Sequence, residues 1–154
     1  MKQPHRMTPF SHTPHRSPYL GRLSELLQLA QPLRTEKELA AVVEARVAPE
    51  ALDHLGEAGL TAKELTLVLP PRTLSHRRAK GGKLSVDESD RAVRLARMLA
   101  LAEAVFGSGD LALRWLRKAM RRFDGRTPLE MLVTEAGGRL IEELLIQIDE
   151  GYSA

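Results

Sequence analysis

Residues 72 to 83 read RTLSHRRAKGGK and hold Arg72, Arg77, Arg78, Lys80 and Lys83 together with His76, without one acidic side chain. Clustered arginine and lysine do the chemistry of phosphate binding, in which each cation neutralises backbone charge and releases condensed counterions. If the segment is helical, the residues near its start (Thr73, Ser75, His76, Arg77) are placed to reach base edges in a major groove. Arg78, Lys80 and Lys83 are then left to hold phosphates, with Arg72 in the same basic set. The plain alternative is a solvated basic face. DNA contact is the better reading if the cluster lies on the second helix of a helix-turn-helix.

Catalytic chemistry finds no comparable constellation. The chain contains no cysteine, which excludes disulfides, thiolate nucleophiles and cysteine-ligated metals. Glu142, Glu143, Asp149 and Glu150 have the spacing of a solvated helical face with no histidine beside them in sequence. His54 and His76 lack a partnered nucleophile, and neither a glycine-rich phosphate loop after a strand nor an HExxH pair occurs. His5, His12 and His15 could bind a metal, but their surroundings offer no fixed geometry, and incidental histidines on a solvated tail are the simpler reading. No enzymatic role and no cofactor are expected.

The elements that must position the basic cluster are marked by their caps. Thr61 with Glu64 has the spacing of a capping box and opens a short helix through Leu65 and Val68, stopped by Pro70 and Pro71. LTLVL at 65 to 69 also admits a strand, against the flanking helical signals. Pro71 suits the first turn of the next helix, which carries the cations and ends at Gly81 and Gly82. A helix, a tight turn and a second helix result.

Around this motif the chain reads as helical throughout. Ser17 and Pro18 start a helix whose Leu20, Leu23, Leu26 and Leu27 recur at helical spacing as far as Pro32. Thr35 and Glu38 open a second through Leu39, Val42, Val43 and Val47, and Pro49 starts a third. Ser85 with Glu88 begins the longest, to Phe106 before Gly107, and its later half is apolar nearly all round, as a buried spine should be. Asp110 starts a helix carrying Leu113, Trp115, Leu116 and Met120; Thr127, Pro128 and Glu130 start a short one; Thr134 caps the last, closed by Gly151.

In that last helix Ile141 and Ile146 lie on nearly opposite sides, which core burial explains most simply and a docking surface explains as well. Gly137 and Gly138 in its first turn cost about 1 kcal/mol each relative to alanine, which suggests close approach of another backbone.

Composition agrees with a helical fold. Hydrophobic residues make up 43% of 154, but only six aromatics are present, so Leu, Val, Ile, Ala and Met must build the core. Residues 1 to 86 hold 13 Lys/Arg against 8 Asp/Glu and residues 87 to 154 hold 10 against 12, so the basic surplus sits in the half that carries the cluster. Residues 1 to 17 contain three prolines and no acid and read as a disordered tail. With neither a long apolar run nor a secretory signal, a cytoplasmic address without membrane contact is expected.

Three stretches resemble the Xre/MbcA/ParS-type antitoxins of RES-Xre toxin-antitoxin operons. They are LPPRTLSHRRAKGGKLSVDESDRAVRLARMLALAEAVFG at 69 to 107, LALRWL at 111 to 116, and GRTPLEMLVTEAGGRLIEELLIQIDEGYSA at 125 to 154. With a looser similarity from about 35 to 68, the resemblance spans three quarters of the chain. It implies an all-α fold: an Xre-like helix-turn-helix domain over 18 to 84, followed by a helical toxin-binding domain over 85 to 154.

The partners it implies are a RES-domain toxin that consumes NAD, operator DNA for autorepression, and a second copy of the chain in a homodimer or higher toxin-antitoxin assembly. It further implies that Gly151, Tyr152, Ser153 and Ala154 cover the toxin's active site. RKAMRRFDG at 117 to 125 departs from the family's usual, less basic turn. A helix-turn-helix regulator without a cognate toxin is the alternative.

Overall fold

The computed structural model describes residues 18–151. The described chain forms α1 (Pro18–Leu26), α2 (Glu36–Ala45), α3 (Glu50–Glu57), α4 (Ala62–Leu65), α5 (Pro71–Ala79), α6 (Val86–Phe106) and α7 (Gly109–Leu116). A 3-10 turn (Arg121–Phe123), α8 (Pro128–Met131) and α9 (Glu135–Asp149) follow, with no strand among the described residues. The expected tail, its three histidines, the Ser17 cap and residues 152 to 154 lie outside the described residues.

The fold is organised around α6. Its buried apolar residues run from Ala92 and Val93 through Leu95, Met98 and Leu99 to Ala102, on more than one face, because α1, α2, α3, α7 and α9 all pack against it. Each leucine fully removed from water there contributes about 1.5–3 kcal/mol relative to exposure, which is why a helix so apolar must be central. Its ends are fixed locally. Ser85 and Glu88 form a complete capping box, and Gly107, at φ 83°, supplies the left-handed residue that stops the helix.

A buried serine inside this core is paired. Ser89, fully buried, accepts a hydrogen bond from the Val47 backbone N–H at 2.9 Å, and Leu84 N–H donates to the Val47 carbonyl at 2.9 Å. The chain before α3 is thereby stitched to the start of α6. On another side Arg97 joins three helices: it reaches Glu142 of α9 at 2.7 Å and Glu36 of α2 at 3.4 Å, and stacks 5.4 Å from the ring centroid of Tyr19 in α1.

Three helix ends differ from the expectation. The first helix stops at Leu26 rather than running to Pro32, because Gln28 takes φ 47° and closes a Schellman motif: Leu29 N–H bonds Ser24 C=O and Gln28 N–H bonds Glu25 C=O. In α2, Arg46 at φ 66° leaves the helix, so Val47 is buried outside it. Met120 falls beyond α7, whose N-cap is Ser108; its N–H and C=O pair instead with Arg126 and Gly125 across a tight loop. The segment LTLVL is a helical turn, not a strand.

Candidate nucleic-acid interface

The helix carrying the basic cluster, α5, buries no residue of its own. Pro71 occupies its first turn, Gly81 at φ 61° follows its end, and Leu74 is the partly buried side chain that seats it on the core. A helix with so little apolar contact contributes little to folding, so its polar surface is free to serve a partner. Arg72, Ser75, His76, Arg78, Lys80 and Lys83 are exposed; Thr73 and Arg77 are half-buried.

The cations fall into two kinds. Arg72 and Lys80 have no acidic partner among the described residues and point their charge at solvent. Arg77 turns inward, donating to Glu88 Oε1 at 3.1 Å, where the Glu88 side chain is 10% exposed. Arg78 pairs with Asp53 of α3 at 2.7 Å in an exposed contact, and Lys83 Nζ donates to the Ala45 carbonyl at 3.1 Å. Arg77 therefore holds α5 to the start of α6, while its neighbours remain accessible.

Glu88 does two jobs at once. Its carboxylate accepts from the Ser85 backbone N–H at 2.8 Å, completing the capping box, and from Arg77. Burial alone would raise its pKa, but the guanidinium and the backbone N–H outweigh it and hold the carboxyl below its ordinary value.

The first helix of the motif repeats the arrangement. Thr61 and Glu64 form a complete capping box, and Arg117, just past α7, clasps both oxygens of Glu64 at 2.6 and 2.9 Å. The same guanidinium donates to the Gly59 carbonyl at 2.8 Å. Its hydrogen bonds, against the opposing cost of burial, keep Glu64 below the usual carboxylate range. Gly59, at φ 112°, leaves a gap in which a Cβ would sit 2.6 Å from Leu113 Cδ1 of α7. Thus α7 packs directly on the turn that precedes α4.

Sequence reasoning singled out Arg77 only as a residue to reach base edges, whereas its guanidinium is engaged with Glu88, and it did not single out Arg117 at all. Only the two glutamates were visible, as capping residues; their partners are 11 and 53 positions away. The resemblance-derived C-terminal residues are only partly placed: Gly151, at φ 82°, ends α9, and Tyr152, Ser153 and Ala154 lie outside the described residues. Near that end, Val133, Leu140 and Ile146 are large apolar side chains left 46–48% exposed. No helix among the described residues is long and apolar enough to cross a membrane.

Comparisons with known proteins agree with both halves of this arrangement. Residues 38–97 match the antitoxin Xre-like helix-turn-helix domain, and residues 101–151 match the antitoxin Xre/MbcA/ParS C-terminal toxin-binding domain. An antitoxin Xre of Pseudomonas putida is 43% identical over 135 residues, covering 87% of this chain and 84% of its own. Those of Yersinia enterocolitica and Photorhabdus laumondii are 31% and 35% identical over 85 and 81 residues, covering 54% and 52% of this chain and 57% and 55% of theirs. The chain belongs to the Xre antitoxin family, with an Xre-like helix-turn-helix domain followed by a toxin-binding domain.

Proposed function

We propose that this antitoxin neutralises an NAD-consuming RES-domain toxin by laying Gly151, Tyr152, Ser153 and Ala154 over the toxin's active site, and represses its own operon through α4 and α5. In this reading it supplies no catalytic group and no cofactor, and acts as a homodimer or a higher toxin-antitoxin assembly. The observation that carries it is the run of the toxin-binding match to Gly151, the first of the four residues in question. Leu111, Val133, Leu140 and Ile146, each about half exposed, lie in the same half and offer apolar side chains that a protein partner would cover.

For DNA, the support is an α5 that buries nothing and leaves Arg72, Ser75, His76 and Lys80 exposed. Thr73, Ser75 and His76 are the proposed base readers, and Arg72, Arg78, Lys80 and Lys83 the phosphate contacts; Arg77 orients the helix from behind. We place the working boundary at Ser85, the cap of α6, with the helix-turn-helix domain over 18 to 84 and the toxin-binding domain over 85 to 154. The test is co-expression with the product of the neighbouring reading frame. Copurification with a RES-domain protein and restored growth are expected; a toxic RES-domain neighbour that neither binds nor is silenced would refute the reading.

A further inference from the structure

The stretch from Arg114 to Arg126, RWLRKAMRRFDGR, is the second concentration of positive charge in the molecule, and it lies in the toxin-binding domain. Of its six cations only Arg117 has an acidic partner, Glu64. Arg114, Lys118, Arg121, Arg122 and Arg126 are exposed and have no acidic partner among the described residues, and Asp124 is the one acid in the stretch. Five like charges held near one another repel, and the protein spends no carboxylates to relieve them. Such an arrangement fits an external polyanion.

The loop that displays them has a defined shape. Met120 N–H bonds the Arg126 carbonyl and Gly125 N–H bonds the Met120 carbonyl, both at 3.0 Å, while Asp124 and Gly125 take left-handed conformations at φ 54° and 82°. Phe123 packs inward against the core, leaving Arg121 and Arg122 at the outer end of the 3-10 turn. These cations are presented on a closed loop rather than on a floppy connection.

Position selects the polyanion. The loop begins immediately after Arg117, which is fixed to Glu64 and Gly59 at the entrance to α4, and Lys63 beside Glu64 is exposed. In helix-turn-helix complexes the first helix crosses the phosphate backbone while the second enters the groove. The basic loop is therefore tied to the helix that lies over the backbone. Exposed apolar side chains that a protein partner could cover stand outside the loop, at Leu111 before it and at Val133, Leu140 and Ile146 after α8.

We propose that the connection between α7 and α8 is a second DNA-contacting surface, in which Lys118, Arg121 and Arg122 hold backbone phosphates beside the α4–α5 motif and extend its footprint. The proposal rests on the DNA reading of α5 above. The loop adds affinity without base selectivity, because phosphate contacts carry no direct sequence information.

The full-length antitoxin should be titrated, across several salt concentrations, onto a fluorescent duplex of its own promoter and a scrambled duplex of equal length. Replacing Lys118→Gln, Arg121→Gln and Arg122→Gln together should weaken binding to both duplexes and flatten log affinity against log salt by about 2 to 3. Arg121→Lys with Arg122→Lys should preserve the slope. The side chains are exposed, and an unchanged circular dichroism melt confirms that the triple variant folds. An unchanged slope in that variant, while Arg72→Gln with Lys80→Gln flattens it, removes this proposal and leaves α5 standing. If neither set alters binding, or the intact chain ignores DNA, the reading of α5 fails as well. A triple variant that keeps the slope but loses toxin copurification assigns the loop to the protein partner and overturns the proposal.

Discussion

At the scale of single residues, two glutamates account for how the helix-turn-helix is held. Glu64 and Glu88 each close a capping box and each receive an arginine from a distant part of the chain. Glu88→Ala removes a cap and strands the Arg77 guanidinium, so it should lower unfolding free energy by about 2 kcal/mol in urea. Glu88→Gln keeps the capping geometry and should lose roughly half as much. Both carboxyls are held below their ordinary value of 4.5 in the folded chain. A depressed carboxyl stabilises the fold above the unfolded pKa, and this stabilisation disappears as pH falls through the folded value. Stability should therefore decline below about pH 4.5, and the decline should be shallower in a Glu64→Gln, Glu88→Gln double variant.

The contrast between arginines on α5 gives a further residue-level prediction. Arg72 faces solvent, so Arg72→Gln should reduce the salt slope of promoter binding by about 1 with little change in melting. Arg77 is engaged with Glu88, so Arg77→Gln should lower the melting temperature and leave the slope nearly intact. Measuring both quantities for both variants separates a phosphate contact from a residue that only orients the helix.

At the scale of elements, what was legible in the sequence was what depends on neighbours three or four positions apart. The boxes at Thr61, Ser85 and Thr127, the glycine stop at Gly107 and the apolar run of α6 follow from local spacing. The same logic found the close backbone approach at Gly137, whereas at Gly138 the neighbour is the Arg94 side chain. A Cβ on Gly137 would sit 1.9 Å from the Met131 carbonyl oxygen, so the end of α8 lies against the first turn of α9. Gly137→Ala must push backbone aside and should cost at least about 1–3 kcal/mol, read from thermal unfolding. Where the expectation failed, the cause was a backbone state no residue type announces: Gln28 and Arg46 are not glycine, yet both take positive φ. The clasps of Arg77 and Arg117 were hidden for another reason, since tertiary packing alone brings them to their glutamates.

At the scale of the molecule, the two family segments meet within one helix. The helix-turn-helix match ends at residue 97 and the toxin-binding match begins at 101, both inside α6, so no flexible linker separates the two activities. Arg77 ties α5 to the start of α6, and Arg117 ties α4 to the end of α7. Among the described residues the helix-turn-helix is thus braced on one side by the start of α6, within its own match, and on the other by Arg117 of the toxin-binding match. The segment proposed to inhibit the toxin, residues 151 to 154, follows α9 in sequence, and removing it should leave the braced motif untouched.

The most direct test is to measure NAD consumption by the proposed RES-domain toxin, purified, with the intact antitoxin and with a chain ending at Glu150. The account predicts that the intact chain suppresses NAD loss, while the shortened chain still binds promoter DNA but leaves the toxin active. Full suppression by the shortened chain would contradict it.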